Sequence, residues 1–161
     1  MVRAFRLYTG PDNASHVMEG TVALDQRADV VAIRFQESAA HSSFDWHDAP
    51  EPQYVITLSG TLEFTTRDGK KFILHPGDVL VATDDIGSGH RWRLIDDQPW
   101  RRAYVMLRPG APDLFVQNDS VSISLAAFVQ AGADEGSCED GYASTIRVSL
   151  AKPQTGSNRW T

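Results

Sequence analysis

Apolar and polar residues alternate with the period of a β-strand along the first two thirds of the chain. Side chains of a strand point to opposite faces in turn, so residues 53–58 place Gln53, Val55 and Thr57 together on one face. Helical periodicity is absent before residue 110. Short strands at this spacing predict an all-β barrel or sandwich in place of a parallel α/β sheet.

Turn-forming residues divide this part of the chain into about eight to nine predicted strands. Asp68-Gly69 predicts a two-residue type I′ hairpin with two positive φ angles, and Pro76-Gly77 predicts a further turn. The segment Glu37–Phe44 is predicted to be a loop. Apolar residues on both faces of residues 30–35 suggest a strand that is covered on both sides. The predicted strands include residues 3–8, 20–24, 29–35, 91–94 and 100–107.

The last third of the chain has a different composition, rich in Ser, Ala, Gly and Asp. We therefore divide the chain into a barrel, residues 1–110, and a less regular C-terminal extension, residues 111–161. The extension is expected to cap the barrel, contact a partner or be partly disordered. Its pattern allows either a helix or a strand over Val121–Gln130, and indicates an acidic loop at 131–141 and a strand at 145–150.

Composition limits the classes of partner and the compartment. A chain of 161 residues with a formal net charge of −6 is a poor match for nucleic acid or an anionic membrane. Its single cysteine, Cys138, cannot form an internal disulfide, and no segment resembles a signal peptide or a membrane span. We expect a cytoplasmic protein whose partner is a small molecule.

Three polar residues lie at strand ends where a closed barrel would bring them to one mouth. His47 and Gln53 flank the entry to one strand, and His90 opens another. Imidazole nitrogen binds zinc, iron, nickel or manganese, and amide oxygen suits harder ions. Two His and one Gln would form a neutral ligand set with open positions for water or substrate.

The segments 47–60 and 77–90 resemble the two motifs of the cupin superfamily. Six residues separate Gln53 from Gly60, as in the Glu…Gly part of the first motif, with Gln in place of Glu. His47 then takes the position of the first motif His, and Ala49 that of the second. Gly77 and His90 begin and end the second motif, with two extra residues between them. The resemblance covers about residues 30–108 and implies a single-domain jelly-roll β-barrel.

The resemblance also implies a metal site, which in the family is typically three His and one Glu. His47, Gln53 and His90 are the metal ligands expected here, for a divalent transition metal such as iron, manganese, zinc or nickel. Glu51, Asp48 or His41 could add a further ligand, although none occupies a family ligand position. His75 is expected to be a solvated turn residue.

Two functions from different classes follow. The first is a metal-dependent enzyme acting on a small organic molecule, of oxygenase, isomerase or lyase type, in which Gln53 or Glu51 positions a proton and Tyr104 offers a hydroxyl to the pocket. The second is a small-molecule-binding or sensing barrel without tightly bound metal. A metal-free epimerase or cyclase using His47 as base is a weaker third. Cupins of this kind are commonly dimers, so a homodimer is expected.

Four arginines close to the second motif have two interpretations. They could form a basic rim for an anionic substrate, or they could lie on solvated edge strands. Trp92 shares a strand face with His90 and could therefore line the pocket or belong to the core. The four arginines are Arg91, Arg93, Arg101 and Arg102.

Overall fold

The computed structural model describes residues 1–118, and all of the regular elements within them are β-strands. The features predicted at 121–130, 131–141 and 145–150, and Cys138, lie outside the described residues. Within the described part, no helix has the length and apolar character needed to cross a bilayer. The strands are β1 (Val2–Thr9), β2 (Ser15–Val22), β3 (Val30–Ser38), β4 (Ser43–His47), β5 (Gln53–Ser59), β6 (Leu62–Thr66), β7 (Lys71–Leu74), β8 (Val79–Thr83), β9 (His90–Leu94), β10 (Trp100–Leu107) and β11 (Phe115–Gln117).

The strands form two sheets that pack as a jelly roll. The larger sheet has the order β11-β2-β1-β8-β5-β10-β3, and the smaller has the order β4-β9-β6-β7. Neighbouring strands are antiparallel, except that β1 and β8 run parallel. The all-β architecture predicted from the alternation is therefore present, and β3 and β4 lie at the ends of their sheets.

Apolar side chains are buried on both faces of the larger sheet. The inner cluster lies between the two sheets and includes Phe5, Leu62, Phe64, Leu80 and Trp100. A second cluster lies on the outer face and includes Ala4, Tyr54, Val79, Val81 and Leu107. Because both faces of β5 and β8 are buried, these strands have apolar residues at consecutive positions instead of a clean alternation.

The outer cluster is covered by the chain that follows β10. The backbone N–H of Leu114 donates a hydrogen bond of 2.7 Å to the Tyr54 hydroxyl oxygen. Strand β11 then pairs with β2, with Phe115 opposite Val22. Burial raises the pKa of the Tyr54 hydroxyl, so this hydroxyl is a neutral hydrogen-bond partner at ordinary pH. The larger sheet thus continues past residue 110 to Gln117.

Two predicted elements differ from the structure. The segment Glu37–Phe44 was predicted to be a loop, but β3 continues to Ser38 and β4 begins at Ser43. The polar composition of this segment does not indicate a strand, and β4 forms there through its pairing with β9. Strand β2 also begins earlier than predicted, at Ser15. Ten strands therefore precede residue 110, against the eight to nine expected.

The hairpin at Asp68-Gly69 is present, but its turn is not type I′. Gly69 has a positive φ of 82°, whereas Asp68 does not. The N–H of Gly69 donates to the carbonyl of Thr66, and the N–H of Thr66 donates to the carbonyl of Lys70. These bonds define a longer loop with one left-handed residue, which is the next most common hairpin class. The Asp68 carboxylate stabilises it by accepting hydrogen bonds from the Thr66 hydroxyl and the Lys70 N–H.

Candidate functional site

A cavity of about 480 Å³ opens between the two sheets, within the size range of small-molecule sites. Its wall is formed by strands of both sheets. The polar side chains on the wall are cationic or neutral, and no Asp or Glu of residues 1–118 contributes to it. The lining residues are Arg34, Gln36, Ser38, Ser42, Ser43, Phe44, His47, Ala49, Pro50, Gln53, Val55, Phe64, Leu80, Ala82, His90, Trp92, Trp100, Arg102 and Tyr104.

Two imidazole rings lie side by side on this wall. His47 at the end of β4 pairs in register with His90 at the start of β9, and their ring centroids are 4.5 Å apart. The register depends on a β-bulge, because Asp45 and Trp46 of β4 stand opposite the single residue Arg91 of β9. In a regular strand, residues three apart such as Phe44 and His47 point to opposite faces, and the bulge brings them to the same face.

Gly89 permits the close approach of the two strands at this point. Its φ is +69°, and a Cβ atom built on it would lie 2.3 Å from the carbonyl oxygen of His47. Every other residue type would carry that atom and would force the His47 backbone away from β9. The glycine immediately before His90 therefore sets the spacing of the histidine pair.

Hydrogen bonding fixes the tautomer of His47. Its Nδ1 atom lies 2.6 Å from the carbonyl oxygen of Asp45, which can only accept, so Nδ1 carries the proton and donates. Burial lowers the pKa of the His47 imidazole, an effect that the Asp45 carbonyl opposes in part. The ring is therefore neutral near pH 7, and Nε2 is left with a free lone pair.

His90 is held in the same way by a carboxylate. Its Nδ1 atom donates to Oδ2 of Asp84 over 2.7 Å, and the hydroxyl of Ser15 donates to the same oxygen over 2.6 Å. All three residues are buried, and Oδ1 of Asp84 has no hydrogen-bond partner within residues 1–118. Metal-binding histidines usually donate a hydrogen bond from their other ring nitrogen to a group such as a carboxylate. This hydrogen bond fixes the orientation of the ring and raises its basicity.

Gln53 and Ala49 occupy the remaining positions expected from the motif. Gln53 begins β5, is buried, and lies on the same cavity wall as His47 and His90. Ala49 is also buried on the wall, so a methyl group stands where the family has its second His. The donor set on the wall is thus two imidazoles and one amide.

This donor set fits a divalent transition metal, although weakly. Two imidazole nitrogens and an amide oxygen suit such an ion and leave positions open for other ligands. The described residues contain no group of three His, Cys, Asp or Glu side chains that could hold a metal ion. The carboxylate of the typical family site therefore has no counterpart among those residues, and a neutral set binds a dication less tightly.

Arg102 of β10 is a further wall residue and is only 3% exposed. Its guanidinium carbon lies 3.7 Å from the ring centroid of Trp100. Nε donates to the hydroxyl of Tyr104 over 2.7 Å, and Nη1 donates to the hydroxyl of Ser38 over 3.0 Å. No carboxylate of residues 1–118 lies within ion-pair distance of it. The cavity therefore contains a buried cation held by neutral groups.

Several residues proposed from the sequence lie away from the cavity wall. Glu51 and Asp48 are exposed and do not line the cavity. His41 is exposed and pairs with Asp97 at 2.8 Å, and His75 is exposed in the turn before Gly77. Glu51 therefore does not line this cavity, whereas Gln53 and Tyr104 do.

The four arginines near the second motif are dispersed by the fold. Arg91 lies 5.0 Å from the Trp46 ring, Arg93 pairs with Glu63, and Arg101 pairs with Glu37. All three are exposed. Only Arg102 lines the cavity, so these arginines do not form a continuous basic rim.

Sequence reasoning missed Asp84 and Ser15 and did not separate Arg102 from its neighbours. The Ser15–Asp84 hydrogen bond joins residues 69 positions apart, and no local pattern indicates it. Arg102 could have been separated from Arg101 by alternation alone, because neighbours on a strand face opposite sides.

Parts of this chain are similar to known proteins. The family model described as "Cupin domain" matches residues 31–106. A DUF861 family protein from Thermotoga maritima is 30% identical, with 46% of this chain and 77% of that chain covered and a TM-score of 0.39. An uncharacterised Klebsiella pneumoniae protein with a double-stranded β-helix domain is 20% identical, with coverages of 62% and 79% and a TM-score of 0.40. The Cupin_2 domain of an XRE family transcriptional regulator from Enterobacter cloacae is 17% identical, with coverages of 67% and 99% and a TM-score of 0.30. No curated protein matches the chain.

Proposed function

We propose, because this chain belongs to the cupin superfamily, that its cavity binds a small organic molecule beside a divalent transition metal held by His47, His90 and Gln53. The family match confirms the resemblance found in the sequence, both for the family and for the jelly-roll fold. The metal and the reaction are the proposal, and they are supported by the geometry of the histidine pair.

The observation that carries the proposal is that the two imidazoles are hydrogen-bonded through the same ring nitrogen. Both rings use Nδ1 in a hydrogen bond to an acceptor, a backbone carbonyl for His47 and a carboxylate for His90. Each ring therefore retains Nε2 for another partner, and the ring centroids are only 4.5 Å apart. Two imidazole rings this close on a cavity wall are suited to share one cation.

A bound metal would supply Lewis-acid chemistry, or oxygen activation if the ion is iron. Iron, manganese, zinc and nickel are the candidates, and an oxygenase, isomerase or lyase reaction is compatible with the site. Within the chain itself, the Gln53 amide orients a substrate or water through a hydrogen bond. Tyr104 lines the same cavity, and its hydroxyl can hold or receive a proton there.

A second candidate function is a binding or sensing module without tightly bound metal. It is favoured by the lack of a third imidazole, thiolate or carboxylate beside the histidine pair in the described part of the chain. In that case His47, His90 and Gln53 hydrogen-bond the ligand directly.

Metal content decides between these functions. We would purify the untagged protein, quantify first-row metals per subunit, and repeat the measurement after reconstitution with each ion. The enzyme proposal predicts near-stoichiometric metal, lost in both His47→Ala and His90→Ala because each removes one of two imidazole ligands.

His75→Ala is the matched control, since His75 is an exposed turn residue away from the cavity. It should retain the wild-type metal content. Only trace metal in the reconstituted wild-type protein would reject the enzyme proposal in favour of the binding module. Full retention in both cavity variants would show that the ligands are other residues.

A further inference from the structure

We infer that the cavity is built for a ligand carrying a carboxylate, with Arg102 as the residue that binds it. This inference rests on the proposed function, because it names the chemical class of the molecule that occupies the same cavity. It starts from the charge of the wall. The charged or protonatable side chains there are Arg34, His47, His90 and Arg102.

The cationic wall contrasts with the rest of the molecule. The chain carries a formal net charge of −6, yet no carboxylate of residues 1–118 lines the cavity. The carboxylates close to the cavity already have partners. Asp84 accepts hydrogen bonds from His90 and Ser15, and Glu37 forms an ion pair with Arg101. An anion entering the cavity therefore meets no competing negative charge from its described wall.

Burial of Arg102 is the second step of the argument. A guanidinium removed from water carries a large desolvation cost unless an anion or several hydrogen bonds compensate for it. Its hydrogen bonds to Tyr104, Ser38 and the carbonyl of Trp100 use Nε and Nη1. Within residues 1–118 these contacts leave the Nη2 amino group as the remaining donor. A carboxylate oxygen accepts a short, charge-assisted hydrogen bond from such a donor.

The guanidinium is also held in a fixed position before any ligand arrives. Trp100 lies against it at 3.7 Å, and Tyr104 lies at 5.2 Å from its carbon atom. The guanidinium carbon of Arg34 lies 4.8 Å from the centroid of the same Tyr104 ring. Preorganisation of this kind reduces the entropy lost on binding.

Aromatic side chains connect Arg102 to the histidine pair along the wall. Trp100 contacts Trp92 with ring centroids 4.8 Å apart, and Phe44 lies 6.3 Å from Trp92 and 4.2 Å from His47. This arrangement matches a ligand with an acidic group at Arg102, an apolar or aromatic middle, and a polar group near His47 and His90. We therefore assign the ligand to the small organic acids with an apolar body.

The test compares an acid with its neutral amide. We would titrate 3-phenylpropanoate and 3-phenylpropanamide into the protein at pH 8 by calorimetry, both as purified and after removal of metal with EDTA. The wild-type protein should bind the acid about 10- to 100-fold more tightly than the amide, as expected for a charge-assisted pair. Arg102→Gln should lose this preference and bind the amide as before.

Arg101→Gln is the matched control, because Arg101 is the neighbouring residue on β10 but is exposed and pairs with Glu37. It should keep the preference for the acid. Arg102→Lys retains a positive charge without the planar fork and should keep part of the preference, which tests the idea even if Arg102→Gln folds poorly. Circular dichroism and thermal melting report on the fold of each variant.

Three outcomes would overturn the inference. Equal binding of acid and amide, or of neither compound, by the wild-type protein would exclude this ligand class. Retention of the preference in a folded Arg102→Gln would assign the carboxylate to another residue. A preference that disappears with EDTA would assign it to the metal. The metal-content measurement described above is independent of all three, so the two proposals can fail separately.

Discussion

Asp84 is a buried carboxylate that connects the first part of the chain to the histidine pair. It accepts hydrogen bonds from Ser15 and His90 at the same oxygen. In Asp84→Asn the charge is lost, and the amide NH₂ must be buried at one of the two oxygen positions. We expect the free energy of unfolding to fall by roughly 1–3 kcal/mol, the usual cost of an impaired buried hydrogen bond, as measured by urea denaturation.

Asp85→Asn is the control, because Asp85 is the exposed neighbour and should change stability little. Where divalent metal binds, Asp84→Asn should also weaken it by about 10- to 100-fold, as removal of such a supporting carboxylate typically does. Wild-type stability in Asp84→Asn would mean that the network around His90 is not maintained in solution.

At the scale of single residues, the sequence predicts a side chain's position when a motif or an alternation marks it. His47, Gln53 and His90 were identified by motif spacing, and the structure places all three on one cavity wall. Trp92 follows from alternation with His90. The hydrogen bonds from Ser15 and His90 to Asp84 were not predictable, since Ser15 and Asp84 meet only after β1, β2 and β8 have assembled into one sheet.

At the scale of elements, the bulge in β4 determines which side chains reach the cavity. It allows Phe44 and His47, three residues apart, to face the same side. Local sequence gave no sign of it, because the polar segment around Ser43 resembles a loop, and among the described strands β4 pairs only with β9. Strands rich in β-branched and aromatic residues, such as β5 and β10, were predicted nearly to their ends, because their composition alone marks them as strands.

Gly89→Ala tests the close approach of β4 and β9. The new Cβ atom would lie 2.3 Å from the His47 carbonyl oxygen, so the strands must separate and the histidine pair must open. Gly69→Ala is the control, because Gly69 also has a positive φ but has no atom within 4 Å of the added carbon. We expect Gly89→Ala to lose about 1–3 kcal/mol more stability than Gly69→Ala, a typical cost of overpacking.

Thermal and chemical denaturation of the two variants give the comparison, and metal content gives a second measure. Gly89→Ala should bind less metal than Gly69→Ala under the same conditions. Equal destabilisation of the two variants would show that the cost comes from the positive φ alone and that β4 is free to move.

At the scale of the whole molecule, β3 contributes to the cavity from an edge of the larger sheet. Its inward residues Arg34 and Gln36 line the cavity. The residues between them along the strand point outward, because side chains of a strand alternate between the two faces. Within residues 1–118 the outer edge of β3 has no neighbouring strand. The exposed fractions of the large apolar residues on this outer surface are Val31 50%, Ile33 58%, Phe35 69% and Leu58 54%. The sequence predicted a strand covered on both faces, and the described residues leave the outer face of β3 open.

We propose that a second copy of this chain covers that surface, as expected from the resemblance. An open strand edge can pair with the same edge of another copy around a two-fold axis, and the adjacent apolar residues would then be buried together. Because Arg34 and Gln36 lie on the same strand, such pairing would also hold this side of the cavity wall in place.

Light scattering after gel filtration, at tens of micromolar protein, should give the mass of a dimer for the wild-type chain. Phe35→Asp should shift the mass to that of a monomer, because a dimer would have to bury the new carboxylate in an apolar interface. Ile86→Asp is the matched control, since Ile86 is similarly exposed, at 64%, but lies in the loop between β8 and β9. A monomeric wild-type protein would exclude the dimer. A dimer that persists in Phe35→Asp but dissociates in Ile86→Asp would place the interface elsewhere.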